Sequence, residues 1–130
     1  GEAAMLLENT AKKYKDTDFI DFLVNIDYEC IPTKTLIIAI LKAKKEGVSV
    51  SRIANSFIHT LALVILKFAK QNEYKTIACS GGVFQNSILV EKLSQLSQKQ
   101  GVKLKFNRIL SSNDENISFG QLCYYHHIKN

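Results

Sequence analysis

Apolar residues recur at helical spacing over most of this chain and alternate with polar ones over two short stretches. Ala4, Leu7 and Ala11 share one face of a helix predicted from about Glu2 to Tyr14, which Asp16-Thr17-Asp18 breaks. In Phe19 to Glu29, Phe22, Val24 and Ile26 alternate with Leu23, Asn25 and Asp27, a pattern that predicts an extended segment, a strand, closed by Pro32. Thr33 or Thr35 then caps a short helix with the apolar body Leu36 to Leu41, and Gly47 stands where that helix stops. Ser49 or Ser51 caps the longest helix, whose core stripe is Ile53, Phe57, Thr60, Leu61, Val64, Ile65 and Phe68.

The second half predicts a β-α-β unit. Thr76 to Cys79 is short, apolar and partly β-branched, as a buried strand requires. Ile88, Leu89, Leu93 and Leu96 follow at helical spacing, Gly101 ends that helix, and Val102, Leu104 and Phe106 alternate as a second strand. A crossover of this kind makes the two strands parallel. Between strand and helix lies Ser80-Gly81-Gly82-Val83-Phe84-Gln85-Asn86. Adjacent glycines turn the chain sharply and leave main-chain N–H groups uncovered, which makes either an anion site or a tight turn that binds nothing. Ligands of open parallel sheets gather beyond the carboxyl ends of the strands. The glycine loop follows the first strand and Ser111 to Asn116 follows the second, so both open on one edge.

Composition narrows the setting without naming a chemistry. The 130 residues fit a single domain, 1–130, large enough to bury roughly two thirds of the surface its unfolded form exposes. No signal peptide opens the chain, and charge interrupts each apolar run, so no membrane association is expected. Cys30, Cys79 and Cys123 form an odd, widely spaced set, which fits reduced thiols and a cytoplasmic location. The net charge of +5 comes from lysines scattered over helix faces. Without an arginine-rich block or interleaved aromatics, nucleic-acid binding is disfavoured.

Four ordered segments carry a family resemblance: Gly1 to Met5 (GEAAM), Arg52 to Ala62 (RIANSFIHTLA), Ser80 to Glu91 (SGGVFQNSILVE) and Ser111 to Gln121 (SSNDENISFGQ). Together they resemble the C-terminal part of the hydrogenase-maturation carbamoyltransferases of the HypF type, which share a domain with the tRNA threonylcarbamoyl transferases of the TsaD type. The resemblance implies a helix-rich α/β fold: a partial second lobe of the actin, Hsp70 and sugar-kinase (ribonuclease H-like) kind with a short parallel β-α-β unit. It implies a transferase in which a second domain of the full protein makes carbamoyl-adenylate from ATP and carbamoyl phosphate, and the domain resembled here passes the carbamoyl group to the C-terminal cysteine of a HypE-type partner.

By the same resemblance, Gly81 and Gly82 present N–H groups to the nucleotide phosphate, helped by the dipole of the following helix. Asn86 lies near ribose or adenine, or braces the turn. Glu2 lies beside the nucleoside, or merely complements the helix dipole. Asp114 ligates a divalent metal, iron, zinc or magnesium alike, with two histidines of an H-x-x-x-H pattern absent from these 130 residues. Its alternative is to cap the terminal helix, with Asn113 as rival. Departures from the pattern are Glu115 and Asn116 for glycines, Ser111 and Ser112 for prolines, and Ser87 for a basic residue.

His126 and His127 are read as solvent-exposed, His59 as a packing residue, and Cys79 as a buried strand cysteine. The expectation is thus the C-terminal nucleotide-site lobe of a larger enzyme, inactive alone and prone to self-association through an uncovered strand edge or apolar face. The alternative from another class is a non-catalytic nucleotide-binding or protein-docking module.

Overall fold

The structure, a computed structural model, describes residues 1–23, 31–107 and 113–129. Five helices and two strands follow in the order α1 (Glu2–Ala11), α2 (Thr33–Lys45), α3 (Val50–Gln71), β1 (Thr76–Cys79), α4 (Ser87–Gln100), β2 (Lys103–Phe106) and α5 (Ile117–Lys129). Single 3-10 turns, Gly82–Gln85 and Asp114–Asn116, precede α4 and α5.

α3 is the axis of the molecule. The Ser49 hydroxyl accepts the Arg52 N–H and starts the helix, settling the choice between Ser49 and Ser51. One side of α3 joins α1, α4 and the sheet around Ala54, Ile58, Ala62, Leu66, Cys79, Leu89 and Leu93. The other joins α2 and the 19–23 segment around Ile53, Val64, Phe22, Leu23, Leu36 and Ala43. The buried surface therefore wraps wider than the predicted stripe. Small residues Ala54 and Ala62 admit α1 and α4 closely, while Phe68, expected inside, lies half exposed against Tyr74. By length and composition α3 could cross a membrane, yet 61% of its most apolar stretch is buried within the protein, as in a core helix.

Polar side chains on this apolar helix hold the segments that lack regular structure. Ser56 Oγ accepts the Ile20 N–H at 3.0 Å, and Thr60 Oγ1 accepts the Phe22 N–H at 3.4 Å. Asn55 Nδ2 donates to the Ala11 carbonyl at the end of α1, 3.4 Å away. Each pairing satisfies buried groups that would otherwise cost about 1–3 kcal/mol. Over residues 19–23 the extended segment expected for Phe19 to Glu29 forms no strand: the Ile20 and Phe22 N–H groups bond to hydroxyls of α3. The remainder of that segment lies outside the described residues.

α1 stops at Ala11, one turn earlier than predicted, and the Thr33 hydroxyl turns back to the Ile31 carbonyl instead of capping α2. β1 and β2 pair in parallel from Thr76↔Lys103 to Cys79↔Phe106, as the crossover required. Ile77, Cys79, Leu104 and Phe106 turn toward the helices, whereas Thr76, Ala78, Lys103 and Lys105 are exposed. The uncovered face of the sheet is thus lysine-bearing, not apolar. Gly101, in the left-handed conformation, ends α4 where the sequence placed the stop.

Candidate nucleotide loop

The glycine loop leaves the carboxyl end of β1 at the edge predicted for it. Gly81 has φ +99°, a conformation that side chains strongly disfavour. Gly82 has no such reason to be glycine: its φ lies outside the left-handed region and, among the described residues, nothing stands within 4 Å of the position a Cβ would take. The first bond closing the 3-10 turn donates from Phe84 to the Gly81 carbonyl at 3.1 Å, so the N–H groups of Gly81, Gly82 and Val83 precede it. Val83 is exposed, and Phe84 anchors the loop edge-on against Phe106 of β2. The loop therefore offers an open main-chain surface on a fixed base.

The helix after the loop is arranged otherwise than expected. A 3-10 turn intervenes, and α4 begins only at Ser87. Asn86 is its cap, accepting the Leu89 N–H on Oδ1 at 3.0 Å, so of its two readings the structure displays the bracing one. Glu8 of α1, which sequence reading passed over, accepts both the Ser87 N–H at 3.1 Å and the Ser87 hydroxyl at 2.6 Å through one carboxylate oxygen. Lys12 lies 2.8 Å from the same oxygen. The ammonium of Lys12 and the Ser87 hydroxyl hold the Glu8 carboxyl below its usual range. An internal carboxylate thus occupies the positive end of α4, and the anion-binding capacity at this edge rests on the loop N–H groups. The substitution of Ser87 for a basic residue was the available signal, since a hydroxyl there needs an acceptor and Glu8 is on the facing helix.

The other predicted residues sit on other elements. Glu2 is the first residue of α1, exposed, six residues before the one that reaches α4. Asp114 is exposed in the 3-10 turn before α5; Asn113 makes the cap there, its Oδ1 accepting the Glu115 N–H at 3.2 Å. Capping therefore does not occupy the Asp114 carboxylate. Among the described residues no hydrogen bond or ion pair joins Glu2 or Asp114 to the glycine loop, and no three His, Cys, Asp or Glu side chains converge as a metal site.

Three other features stay outside the site. His59 stacks on Phe19, with ring centroids 3.3 Å apart, and burial lowers its pKa to about 4. Burial likewise raises the Cys79 thiol, making it a poor nucleophile. A cleft of about 350 Å³ lies between the end of α1 and α4, with Lys15 and Lys92 set against Asp16 and Glu91. It contains none of the predicted site residues.

A short parallel β-α-β unit carried on helices, with an open glycine turn at its carboxyl edge, is a partial lobe of the actin, Hsp70 and sugar-kinase fold. Residues 1–121 match the family described as Carbamoyltransferase, Kae1-like Domain, second subdomain, and the chain belongs to this family. The crystal structure of T. kodakarensis HypF superposes with a TM-score of 0.64 at 26% identity, covering 87% of this chain and 14% of that one. The tRNA N6-adenosine threonylcarbamoyltransferase of Clostridioides difficile (strain 630) is 31% identical over 91 residues, 67% of this chain and 27% of the relative. The chain therefore spans well under a third of either protein's length.

Proposed function

We propose that this chain serves as the second subdomain of a HypF-type carbamoyltransferase and supplies the phosphate-binding loop of its nucleotide site. The observation that carries the reading is Gly82, a glycine that neither its φ nor its packing requires, on an open main-chain turn beyond a parallel strand. A methyl group there would meet no atom of the described residues; it would meet a phosphate resting on the N–H groups of Gly81 and Gly82. Glu2, exposed in the first turn of α1, would accept from nucleoside hydroxyls, and Asn86, whose Oδ1 caps α4, would lie near ribose or adenine.

In the complete enzyme a second domain would form carbamoyl-adenylate from ATP and carbamoyl phosphate, with pyrophosphate and phosphate leaving, and this loop would hold the nucleotide phosphate while AMP leaves on transfer. The carbamoyl group would go to the C-terminal cysteine thiol of a HypE-type partner. Asp114 would contribute one carboxylate to a divalent metal whose remaining ligands come from outside this chain; a metal so bound supplies a Lewis acid. Cytoplasmic thiol chemistry of this kind needs no cysteine from this chain, in keeping with a buried Cys79.

The test is a transfer assay with ATP, carbamoyl phosphate and the partner protein. The complete polypeptide is expected to carbamoylate the partner and the 130-residue chain alone is expected to be inactive. Asp114→Asn in the complete polypeptide should lower both metal content and transfer by more than tenfold, while the 3-10 turn before α5 keeps its cap at Asn113. Turnover by the isolated chain, or full activity of Asp114→Asn, would refute the corresponding role.

A further inference from the structure

Lys92 is the one lysine among the described residues that is neither exposed nor ion-paired. Lys67, the other lysine partly withdrawn from solvent, lies 3.8 Å from the Asp21 carboxylate, and the rest are exposed. Burial on α4 lowers the Lys92 pKa, and only Glu91, its neighbour in sequence, works against that. A charge drawn out of water without a counter-ion is a cost, and an apolar side chain of similar length would pack there without it. The place Lys92 occupies is a cleft. α1 ends at Ala11 while α4 runs on, and about 350 Å³ opens between the stretch after α1, Asn55 of α3, and Ile88, Glu91, Lys92 and Gln95 of α4. Such a volume suits a small ligand. Asn55 is nine-tenths buried and spends one amide hydrogen on the Ala11 carbonyl; among the described residues it makes no other hydrogen bond, so its Oδ1 lacks a donor. An unmatched cation and an unmatched amide oxygen thus line one cavity, beside apolar Ala11 and Ile88.

The other charges of the cleft decide what can enter. Lys12 is already held by Glu8 at 2.8 Å, Lys15 is exposed beside Asp16, and Glu91 accepts from Gln95 Nε2 at 3.1 Å. Glu91 and Asp16 repel an ion carrying several negative charges, such as a phosphate ester or pyrophosphate, whereas one negative charge balances Lys92. A carboxylate supplies that charge and accepts the ammonium protons. A hydroxyl on the same molecule would donate to the Asn55 Oδ1. We propose that the cleft between α1 and α4 is a binding site for a small hydroxycarboxylate, with Lys92 holding the carboxylate and Asn55 the hydroxyl. No residue of the glycine loop lines it, so the site is separate from the proposed nucleotide site.

Calorimetric titration of the complete polypeptide with lactate and glycerate tests this, with acetate as the probe lacking a hydroxyl and pyrophosphate as the multiply charged one. The hydroxy acids are expected to bind saturably at one site per chain, acetate more weakly and pyrophosphate not at this site. Lys92→Met should weaken the hydroxy acids by about tenfold or more, the loss of one charge-assisted contact. Lys99→Met, on the same helix but outside the cleft, should bind them as the native protein does. The thermal midpoint of Lys92→Met should hold or rise, because an unpaired charge has been removed. Absence of saturable binding by either hydroxy acid would overturn the proposal. Equal weakening in Lys99→Met would also overturn it, since diffuse attraction to α4 would then be the cause, and a lowered midpoint in Lys92→Met would make the lysine structural. ATP should bind Lys92→Met unchanged; a loss there would show that the cleft belongs to the nucleotide site and is no second one.

Discussion

α3 and α5 are both rich in apolar residues, and they meet opposite fates. α3 is clasped by α1, α2, α4 and the 19–23 segment until even Ser56 and Thr60 lose all contact with solvent. α5 leaves six large apolar side chains in water. Hydrophobic content states that a helix must be covered; it does not state by what. Among the described residues α3 finds its cover and α5 finds none. The glycine loop repeats the contrast on a smaller scale: Glu8 and Asn86 close the start of α4 internally, whereas nothing fills the space above Gly82.

If that contrast is sound, the two helices respond to substitution very differently. Leu66 is fully buried, and Leu66→Ala should cost about 2–5 kcal/mol of stability through lost transfer energy and a residual cavity. Urea denaturation measures it, and a loss below about 1 kcal/mol would mean that the α3 core is loosely packed.

Acid should weaken the same core by a comparable amount. His59 takes up its proton near 6.5 in an unfolded chain but only at about 4 in the fold, chiefly through burial, with Lys92 and Lys99 reinforcing the shift and Asp21 opposing it. Between those values the unfolded state binds more protons, so stability falls as pH drops and is unaffected above the window. The full loss is about 3 kcal/mol. Denaturation curves at pH 7.5 and 5 for the native chain and His59→Leu should show the slope only in the former. An equal slope in both would assign it to other groups.

The smallest effect is expected on α5. Leu122→Ala in the 130-residue chain should change stability by less than about 0.5 kcal/mol, because no burial is lost. A cost above about 1 kcal/mol would show that Leu122 is already packed and that the contrast with α3 fails.

The sequence made the architecture legible wherever the cause was local. Ser49, Gly101 and the alternation of Val102, Leu104 and Phe106 specify a cap, a stop and a strand with information held within a few residues. It misled where the partner was distant in sequence. Alternation in Phe19 to Glu29 is the mark of a strand, but Ile20 and Phe22 found hydroxyls on α3 some forty positions away. The hydroxyls of Ser56 and Thr60 gave no hint of that use from their place in an apolar run.

The site divides in the same way. Gly81 and Gly82 stand out as a pair at a strand end, and the structure leaves them open. Asn86 caps α4 through Oδ1, and the Glu8–Ser87 lock is a long-range pairing that only the packing of α1 on α4 creates. Asp114 and Asn113 were equivalent caps on paper; which oxygen reached the Glu115 N–H depended on backbone geometry alone.

The central claim is that Gly82 is glycine for the sake of a phosphate. It is tested most directly by titrating ATP into the complete polypeptide, native and Gly82→Ala, with the thermal midpoint of each recorded in parallel. Alanine fits the 3-10 turn without a clash and should leave the midpoint unchanged or slightly raised. The account predicts a loss of ATP affinity of at least tenfold, about 1.4 kcal/mol, in a protein of undiminished stability. Unaltered affinity in that folded variant would place the phosphate elsewhere and contradict the account.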